Sequence, residues 1–270
     1  MPSFPLHPAR LATALDSIDR DWRDPSAEGW RRPAAVLALV ALCLLGIEYL
    51  KYHDTFRELL YRVVGPADAR AFLGGTWGRL RTEAWWGLVH LFGYVLLPAL
   101  FLRVVLRMPV ADVGLRWRRT TRWLGWYALL AAPIVFFAFL ASFTDAFTQT
   151  YPFYRFAGRS WVDLLAWETI YLAQFVFLEF FFRGFILETL APRLGASAIF
   201  VMAVPYMMIH FAKPWPEAFG AILFGILLGI LALRSRSIWG GAFVHMTIAL
   251  SMDLMALGQT GRWPTQWWPT

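Results

Sequence analysis

Residues 175–187 read FVFLEFFFRGFIL, an almost wholly apolar run interrupted by one glutamate, Glu179, and one arginine, Arg183. The apolar character extends in both directions to about 162–190, and stretches of similar length recur along the chain. A transmembrane helix needs about 20 predominantly apolar residues. The run therefore predicts a membrane-spanning helix that carries two charged groups, and its repetition predicts a chain that crosses the membrane several times.

The composition of the whole chain agrees with this prediction. Its 270 residues are 59% hydrophobic, 17% aromatic and only 16% charged, whereas a soluble domain carries about 25% charged residues. These values exclude an ordinary soluble enzyme and a disordered chain. The formal net charge of +7 does not indicate nucleic acid as a partner, because most basic residues stand beside apolar stretches, where they orient helices and meet the headgroups of the lipid bilayer.

We predict an all-α fold, a polytopic membrane helical bundle of about seven (seven to eight) transmembrane helices. The predicted spans are 33–50, 84–106, 123–143, 162–190, 196–213, 217–233 and 238–257. Between the first two spans, apolar residues recur at helical spacing among charged ones, which predicts an amphipathic connector on the membrane surface. The chain divides into a cytoplasmic N-terminal segment 1–32, N-terminal helices and connector 33–160, a motif-bearing four-helix core 161–257 and a C-terminal tail 258–270.

Basic residues in short loops predict the orientation of the bundle, since cytoplasmic loops are enriched in lysine and arginine. The loop between the second and third spans contains, against the single acid Asp112, the arginines Arg103, Arg107, Arg116, Arg118, Arg119 and Arg122. We therefore expect this loop and the N-terminus to face the cytoplasm.

Glu179 and Arg183 are four residues apart, so their side chains can meet on one face of a helix. An isolated carboxylate among the surrounding phenylalanines would be neutralised, whereas a nearby cation holds it ionised. The pair either satisfies its own charges and orients the helix, or it holds a carboxylate ready for chemistry. The two residues by themselves leave both interpretations open.

Two histidines lie on later apolar segments, His210 near the end of the fifth predicted span and His245 in the seventh. A lone histidine in a membrane helix is more often a hydrogen-bonded packing residue than a ligand. A carboxylate and two imidazoles on three separate helices, however, are the groups that activate water. The carboxylate takes a proton, and the imidazoles bind a metal or stabilise an oxyanion.

Two further acids and two glycines complete the set of notable residues. Asp253, eight residues after His245, either lines the same cavity or faces the membrane interface. Glu217 either contributes to the site or forms a solvated surface pair with a nearby lysine. Gly225 and Gly229 form a small-xxx-small pattern, which predicts close packing of the sixth span against another helix.

Three motifs carry a resemblance to a known family. They are Leu178-Glu179-Phe180-Phe181-Phe182-Arg183, Tyr206-Met207-Met208-Ile209-His210 and His245-Met246-Thr247-Ile248-Ala249. In order and spacing they resemble the patterns Glu-Glu-x-x-x-Arg, Phe-x-x-x-His and His-x-x-x-Asn of the CAAX protease and bacteriocin-processing family of intramembrane proteases, whose bacterial members are often called Abi proteins. The resemblance covers about 160–257, the last four predicted spans.

This sequence departs from the family pattern at two positions of functional weight. Leu178 replaces the first glutamate, which the family uses to activate water, and Ala249 replaces the asparagine that helps to hold the oxyanion. Tyr206 for phenylalanine is a milder change. Either Glu179 takes over as the base or the chain has lost catalysis. Glu217 and Asp253 are the side chains that could supply the missing acid or amide function.

The resemblance implies an intramembrane endopeptidase of the bacterial cytoplasmic (inner) membrane that hydrolyses a peptide bond of a membrane-associated protein or peptide. Its catalytic residues would be Glu179, Arg183, His210 and His245. The motifs require no particular cofactor. If a divalent metal such as zinc takes part, Glu179, His210 and His245 would form a three-ligand open site.

Two other functions remain open on the sequence. One is a catalytically inactive homologue that binds a membrane protein and aids its sorting or maturation, which the losses at Leu178 and Ala249 suggest. The other is a proton-coupled carrier that uses the same buried acids and histidines. The absence of an internal repeat disfavours this carrier, because many transporter folds are built from duplicated halves.

Overall fold

The computed structural model of the protein describes residues 8–27, 29–213 and 215–269. Within these ranges the regular structure is helical, and one isolated β-bridge joins Leu115 to Ser237. Residues 1–7, 28 and 270 of the predicted terminal segments lie outside the described residues. So does Pro214, which stands between His210 and the sixth predicted span.

The helical elements follow one another with short connections. They are α1 (Pro8–Trp22), α2 (Arg31–Leu50), α3 (His53–Val64), α4 (Pro66–Gly74), α5 (Gly78–Leu91), α6 (Leu97–Val104), α7 (Leu124–Ala141), α8 (Asp145–Thr150), α9 (Trp161–Glu179), α10 (Glu188–Leu194), α11 (Ser197–Met208), α12 (Trp215–Ser235) and α13 (Trp239–Thr260). A π-helical segment, Phe92–Leu96, joins α5 to α6, and a second one, Phe180–Leu187, joins α9 to α10.

The prediction of an all-α polytopic bundle is confirmed, and the protein is a multi-pass integral membrane protein. Six helical stretches of the described chain are long and apolar enough to cross a membrane. They are Arg31–Leu50, Gly78–Val104, Thr121–Ala141, Trp161–Leu194, Glu217–Ser235 and Trp239–Thr260. The fifth predicted span, 196–213, is instead the short apolar helix α11, because the chain turns after Met208.

The chain forms two compact units, each assembled from three separate stretches. The first unit comprises the chain up to Cys43, Tyr94–Tyr127 and Leu178–Ala242. The second comprises Leu44–Gly93, Ala128–Phe177 and the chain from Phe243 onward. These spatial units do not test the sequential segments 1–32, 33–160, 161–257 and 258–270, which stay predictions.

In the first unit, the second π-helical segment is completely enclosed. All eight of its residues are buried. Tyr94 packs on Phe181 with ring centroids 5.0 Å apart, and Phe101 meets the edge of Phe185 at 6.0 Å. π-helical turns are rare and occur frequently at functional sites. This segment therefore places Arg183 in the interior of the unit.

Helices α11 and α12 of the first unit pack closely through two glycines, which confirms the packing predicted for the small-xxx-small pattern. A Cβ added at Gly225 would lie 3.0 Å from the Tyr206 ring, and one added at Gly229 would lie 3.0 Å from Ile199. The N-terminal helix α1 belongs to the same unit, and its Trp22 indole donates a hydrogen bond to the carbonyl of Leu233 at the end of α12.

In the second unit, the start of α9 is held by a polar network. The backbone N–H of Asp163 donates to the Ser160 hydroxyl, as an N-cap does, and this hydroxyl in turn donates to the Asp163 carboxylate. Tyr154 and Arg159 also donate to Asp163, and the bond to Asp163 raises the pKa of Arg159. These contacts fix the end of the helix that carries the candidate carboxylates.

The predicted connector between the first two spans consists of the helices α3 and α4, also in the second unit. Helix α3 has no buried residue, which agrees with the amphipathic pattern of its sequence. Trp85 at the start of the next span stacks on Phe56 with ring centroids 4.9 Å apart. Its position on the membrane surface stays a prediction.

Candidate active site

The predicted ion pair between Glu179 and Arg183 is present in the first unit. Arg183 Nη1 lies 2.8 Å from Glu179 Oε1, and the two side chains are 0% and 1% exposed. Glu179 is the last residue of α9, and Arg183 lies in the π-helical segment that follows. A charge in such surroundings is tolerated only with an opposite charge or hydrogen bonds. Arg183 is therefore the partner that compensates the Glu179 carboxylate in this interior.

The motif on α11 joins this pair. The guanidinium carbon of Arg183 lies 4.1 Å from the centre of the Tyr206 ring, a cation–π contact. The Tyr206 ring packs against the His210 ring at 5.1 Å and meets the edge of Phe182 at 5.3 Å. Glu179, Arg183, Tyr206 and His210 thus form one continuous series of contacts, which we call the Glu179 cluster.

The orientation of His210 is set by its own backbone turn. Its Nδ1 lies 2.8 Å from the carbonyl oxygen of Tyr206. Since a carbonyl only accepts hydrogen bonds, Nδ1 carries the proton in this contact, and Nε2 is then the nitrogen with a basic lone pair. His210 follows the end of α11 by two residues and is half-buried. An imidazole so placed can accept a proton from a water molecule or steady one.

Two glycines that the sequence analysis did not assign to the site make room for it. A Cβ at Gly241, in the first turn of α13, would lie 2.2 Å from Glu179 Oε2. The carboxylate therefore rests directly on the Cα of Gly241. Gly225 likewise leaves room for the Tyr206 ring. The feature of the sequence that could have indicated Gly241 is the Gly240-Gly241 pair, which lies one helical turn before His245.

Glu217, a secondary candidate, lies at the surface of the first unit. Its carboxylate is 3.5 Å from Lys213 Nζ, and the side chains are 46% and 37% exposed, respectively. This arrangement agrees with the alternative of a solvated surface pair.

His245 and Asp253 both belong to the second unit. The half-buried His245 ring stacks on Phe175 of α9, with centroids 5.6 Å apart and planes 6° from parallel. Asp253 is 0% exposed and accepts a hydrogen bond from Trp167 Nε1 at 2.7 Å. Its burial contradicts the alternative that it faces the membrane interface. The sequence did not indicate Phe175 or Trp167 as their partners.

Both departures from the family pattern are packed as apolar core residues. Leu178 is 5% exposed and belongs to the first unit. Ala249 is 4% exposed and packs in the second unit in a cluster with Trp167, Tyr171 and Leu257. A methyl group in such a cluster can neither donate to an oxyanion nor bind water. Any chemistry must therefore use the other motif residues.

The proposed metal ligands do not form a recognisable metal site. Among the described residues, no group of three or more histidine, cysteine, aspartate or glutamate side chains is arranged to hold a metal ion. Around Glu179, the nearest charged partner is a cation, Arg183, which disfavours a second cation on the same carboxylate. The donor set of Glu179, His210 and His245 thus does not fit a three-ligand centre.

Comparison with known families supports the resemblance. Residues 159–251 match the model of a family described as type II CAAX prenyl endopeptidase Rce1-like. Comparisons with curated proteins and with solved structures found no match. The matched segment contains all three motifs, with Glu179, Arg183, Tyr206, His210 and His245. The resemblance inferred from the motifs is confirmed over this segment: residues 159–251 are similar to the Rce1-like family of type II CAAX prenyl endopeptidases.

Proposed function

We propose that the protein is an intramembrane endopeptidase that hydrolyses a peptide bond of a membrane-associated protein or peptide, with Glu179 as the base. The observation that carries this proposal is the buried Glu179–Arg183 ion pair in contact with Tyr206 and, through it, with His210. A buried ion pair contributes little net stability compared with an apolar pair of similar size. Its presence inside the matched segment is therefore better explained by chemistry than by packing.

In the proposed reaction, Glu179 takes a proton from a water molecule while the oxygen attacks the carbonyl carbon of the scissile bond. Arg183 orients the carboxylate through the ion pair, and the basic Nε2 of His210 steadies the water. The family resemblance assigns the hydrogen bond to the tetrahedral oxyanion to His245. The proton held by Glu179 then passes to the departing amine nitrogen, so that one water is added across the broken bond. General-base catalysis of this kind contributes about 10²–10⁴-fold in rate.

The substrate class follows from the membrane spans and from the name of the matched family. Spans that carry the candidate groups favour a substrate that is itself held in the bilayer. The name of the family model indicates a prenylated protein with a C-terminal CAAX sequence. A farnesylated CAAX peptide in proteoliposomes is therefore the first substrate to test.

The decisive experiment compares cleavage of this peptide by the wild-type protein and by Glu179→Gln and His210→Ala. We expect each substitution to lower kcat by about 100-fold or more. Glu217→Gln is the matched control, since it removes a surface carboxylate, and it should keep wild-type activity. Because Glu179→Gln leaves Arg183 without its carboxylate, folding of each variant is checked by thermal unfolding. Cleavage that is unaffected by both substitutions, in folded protein, would falsify the assignment.

A second candidate function is an inactive homologue that binds a membrane protein and aids its sorting or maturation. The apolar burial of Leu178 and Ala249, at positions where the family pattern has polar residues, favours it. Wild-type protein that binds the peptide but leaves it intact would support this function.

We also propose that the reaction needs no metal and that the N-terminus faces the cytoplasm. The reaction above uses no metal, so a chelator should leave cleavage unchanged.

The arginine-rich loop after the second span supports an N-terminus on the cytoplasmic side of a bacterial inner membrane. A reporter fused to the N-terminus, active only in the cytoplasm, tests this orientation.

A further inference from the structure

A buried pair of two acidic residues lies in the second unit, and neither residue belongs to the three family motifs. It consists of Glu168 on α9 and Asp253 on α13, which are 8% and 0% exposed. Trp167, the sequence neighbour of Glu168, donates a hydrogen bond to Asp253 at 2.7 Å, so α9 and α13 meet at this level, and the two carboxyl groups interact with each other. Both Glu168 oxygens and Asp253 Oδ1 are buried, and no described donor reaches them. Each of these oxygens is therefore aimed into a closed interior without a donor from the protein.

The surroundings of the pair are aromatic. Trp167 donates from its indole to Asp253 Oδ2, at 2.7 Å. On α9, Tyr171 stacks on Trp167 with centroids 4.9 Å apart. Tyr154 of the preceding loop contacts the same indole at 5.9 Å, and Trp86 of α5 lies at 6.4 Å. These rings exclude water from the pair, and the lone Trp167 donor serves only one of the four carboxyl oxygens.

No described cation compensates the two carboxyl groups. The groups that act on them are each other and Trp167. On the elements packed around the pair in the second unit, the other titratable or charged side chains are Arg79, Arg81, Glu83, His90, Tyr154, Arg155, Arg159, Asp163, Tyr171 and His245. Of these, Arg159 is committed to Asp163, His90 faces the Trp86 carbonyl, and His245 stacks on Phe175.

Two ionised carboxylates at this separation, in a medium of low dielectric constant, repel each other strongly. One proton placed between them removes the repulsion and creates a hydrogen bond from the protonated carboxyl to the carboxylate, which is a strong, charge-assisted type. The same geometry that makes two negative charges unfavourable thus makes the pair a good binding site for a single proton.

We propose that Glu168 and Asp253 form a proton-binding site, in which one shared proton links helix α9 to helix α13. The site is distinct from the Glu179 cluster and from the proteolytic chemistry proposed for it. When the proton is removed by base, water forms, two carboxylates remain, and the link between the helices becomes a repulsion.

The link has a consequence for His245. Phe175 lies seven residues after Glu168 on α9, and His245 lies eight residues before Asp253 on α13. At about 1.5 Å per residue, each is roughly two turns, or about 11 Å, from the shared proton. The Phe175–His245 stack and the carboxyl pair are thus two contacts of one antiparallel helix pair. Loss of the proton should loosen the contact that positions His245.

Infrared spectroscopy of the purified protein tests the shared proton without any substrate. At neutral pH, where exposed carboxyl groups are ionised, the wild-type protein should show the carbonyl stretch of a protonated carboxyl group. Glu168→Gln and Asp253→Asn should each remove the component of that band that belongs to the pair. Asp163→Asn is the matched control, because Asp163 is buried on the same helix as Glu168 but is paired with Arg159, and it should leave that component in place.

Thermal unfolding in detergent gives an independent measurement. The folded chain holds the shared proton and the unfolded chain releases it near neutral pH, so stability falls as the pH rises. We expect the wild-type Tm to fall by several degrees between neutral and alkaline pH. Glu168→Gln should lose this component, because its amide donates the hydrogen bond without a bound proton, whereas Asp163→Asn should keep it even if its Tm is lower at every pH.

Two results would contradict the shared proton. A wild-type protein without the infrared band, or a band that Glu168→Gln leaves unchanged, overturns the proposal. So does a pH-dependence of Tm that is the same in wild type and Glu168→Gln. Because neither measurement involves peptide cleavage, failure of this proposal and failure of the proposed peptidase function are distinguishable.

Discussion

Two buried glutamates on helix α9 show how differently one residue type can be stabilised. Glu179, in the first unit, pairs with a cation four residues later, Arg183. Glu168, in the second unit, lies against another acid, Asp253, on a helix far along the chain. Opposite charges balance each other in the first pair, whereas the second needs a proton. Burial of a carboxyl group therefore does not by itself define its role; its partner does.

The largest expected effect is the loss of stability when Arg183, the cation of the first pair, is replaced. Arg183→Met leaves the Glu179 carboxylate buried without its cation, which costs about 3–5 kcal/mol of unfolding free energy. Glu179→Gln/Arg183→Met removes both charges and should regain most of that loss. Thermal unfolding of both variants in detergent measures the difference. If the single variant were as stable as the wild type, the ion pair would not be what holds Glu179.

A substitution at Gly241 tests the position of the Glu179 carboxylate in the first pair. In Gly241→Ala the new methyl group would lie 2.2 Å from Glu179 Oε2, so the flexible carboxylate must move while the backbone stays. We expect kcat for peptide cleavage to fall about 100-fold, as displacements of about 1 Å at catalytic groups do, with KM and Tm little changed. Gly258→Ala on the same helix is the control, since its nearest neighbour atom is 3.9 Å away. Equal activity in the two variants would contradict the placement of Glu179.

The smallest effect concerns the other pair. Trp167→Phe removes the indole donor to Asp253 Oδ2 but leaves the two carboxyl groups in contact. The lost hydrogen bond to an acidic group should cost about 1–2 kcal/mol in stability, measured by thermal unfolding at neutral pH. Trp263→Phe, at an exposed tryptophan of the same unit, should change stability little. An equal loss in both variants would show that ring packing, and not the bond to Asp253, explains the effect.

Several features of the fold were predictable because they depend on neighbours in the sequence. Apolar length predicts where a helix can cross a bilayer, and the six long spans agree with the predicted positions within a few residues. The ion pair of Glu179 with Arg183 follows from helical spacing. The predicted span 196–213 is shorter in the structure, since α11 ends at Met208 and apolar composition does not mark a turn.

Other features depend on contacts between distant residues. The sequence analysis left open whether Asp253 lines a cavity or faces the interface, and only the packing of α13 against α9 shows that it is buried beside Trp167 and Glu168. Glu168 belongs to no motif, so no pattern singled it out. Gly241 was overlooked for a similar reason, because the need for a missing Cβ becomes visible only when the Glu179 carboxylate lies against it.

The amino-acid sequence alone determined the all-helical membrane architecture, the family resemblance of residues 159–251 and the pairing of Glu179 with Arg183, because these depend on local hydrophobicity and on spacing along one helix. The tertiary structure alone decided which helix covers each buried acid. That assignment made the ion pair part of a cluster with Tyr206 and His210, and made the two acids of the second unit a place for a proton. The physical reason is that a charge in a medium of low dielectric constant is governed by the nearest opposite charge or proton, and in a folded chain that neighbour can come from any part of the sequence.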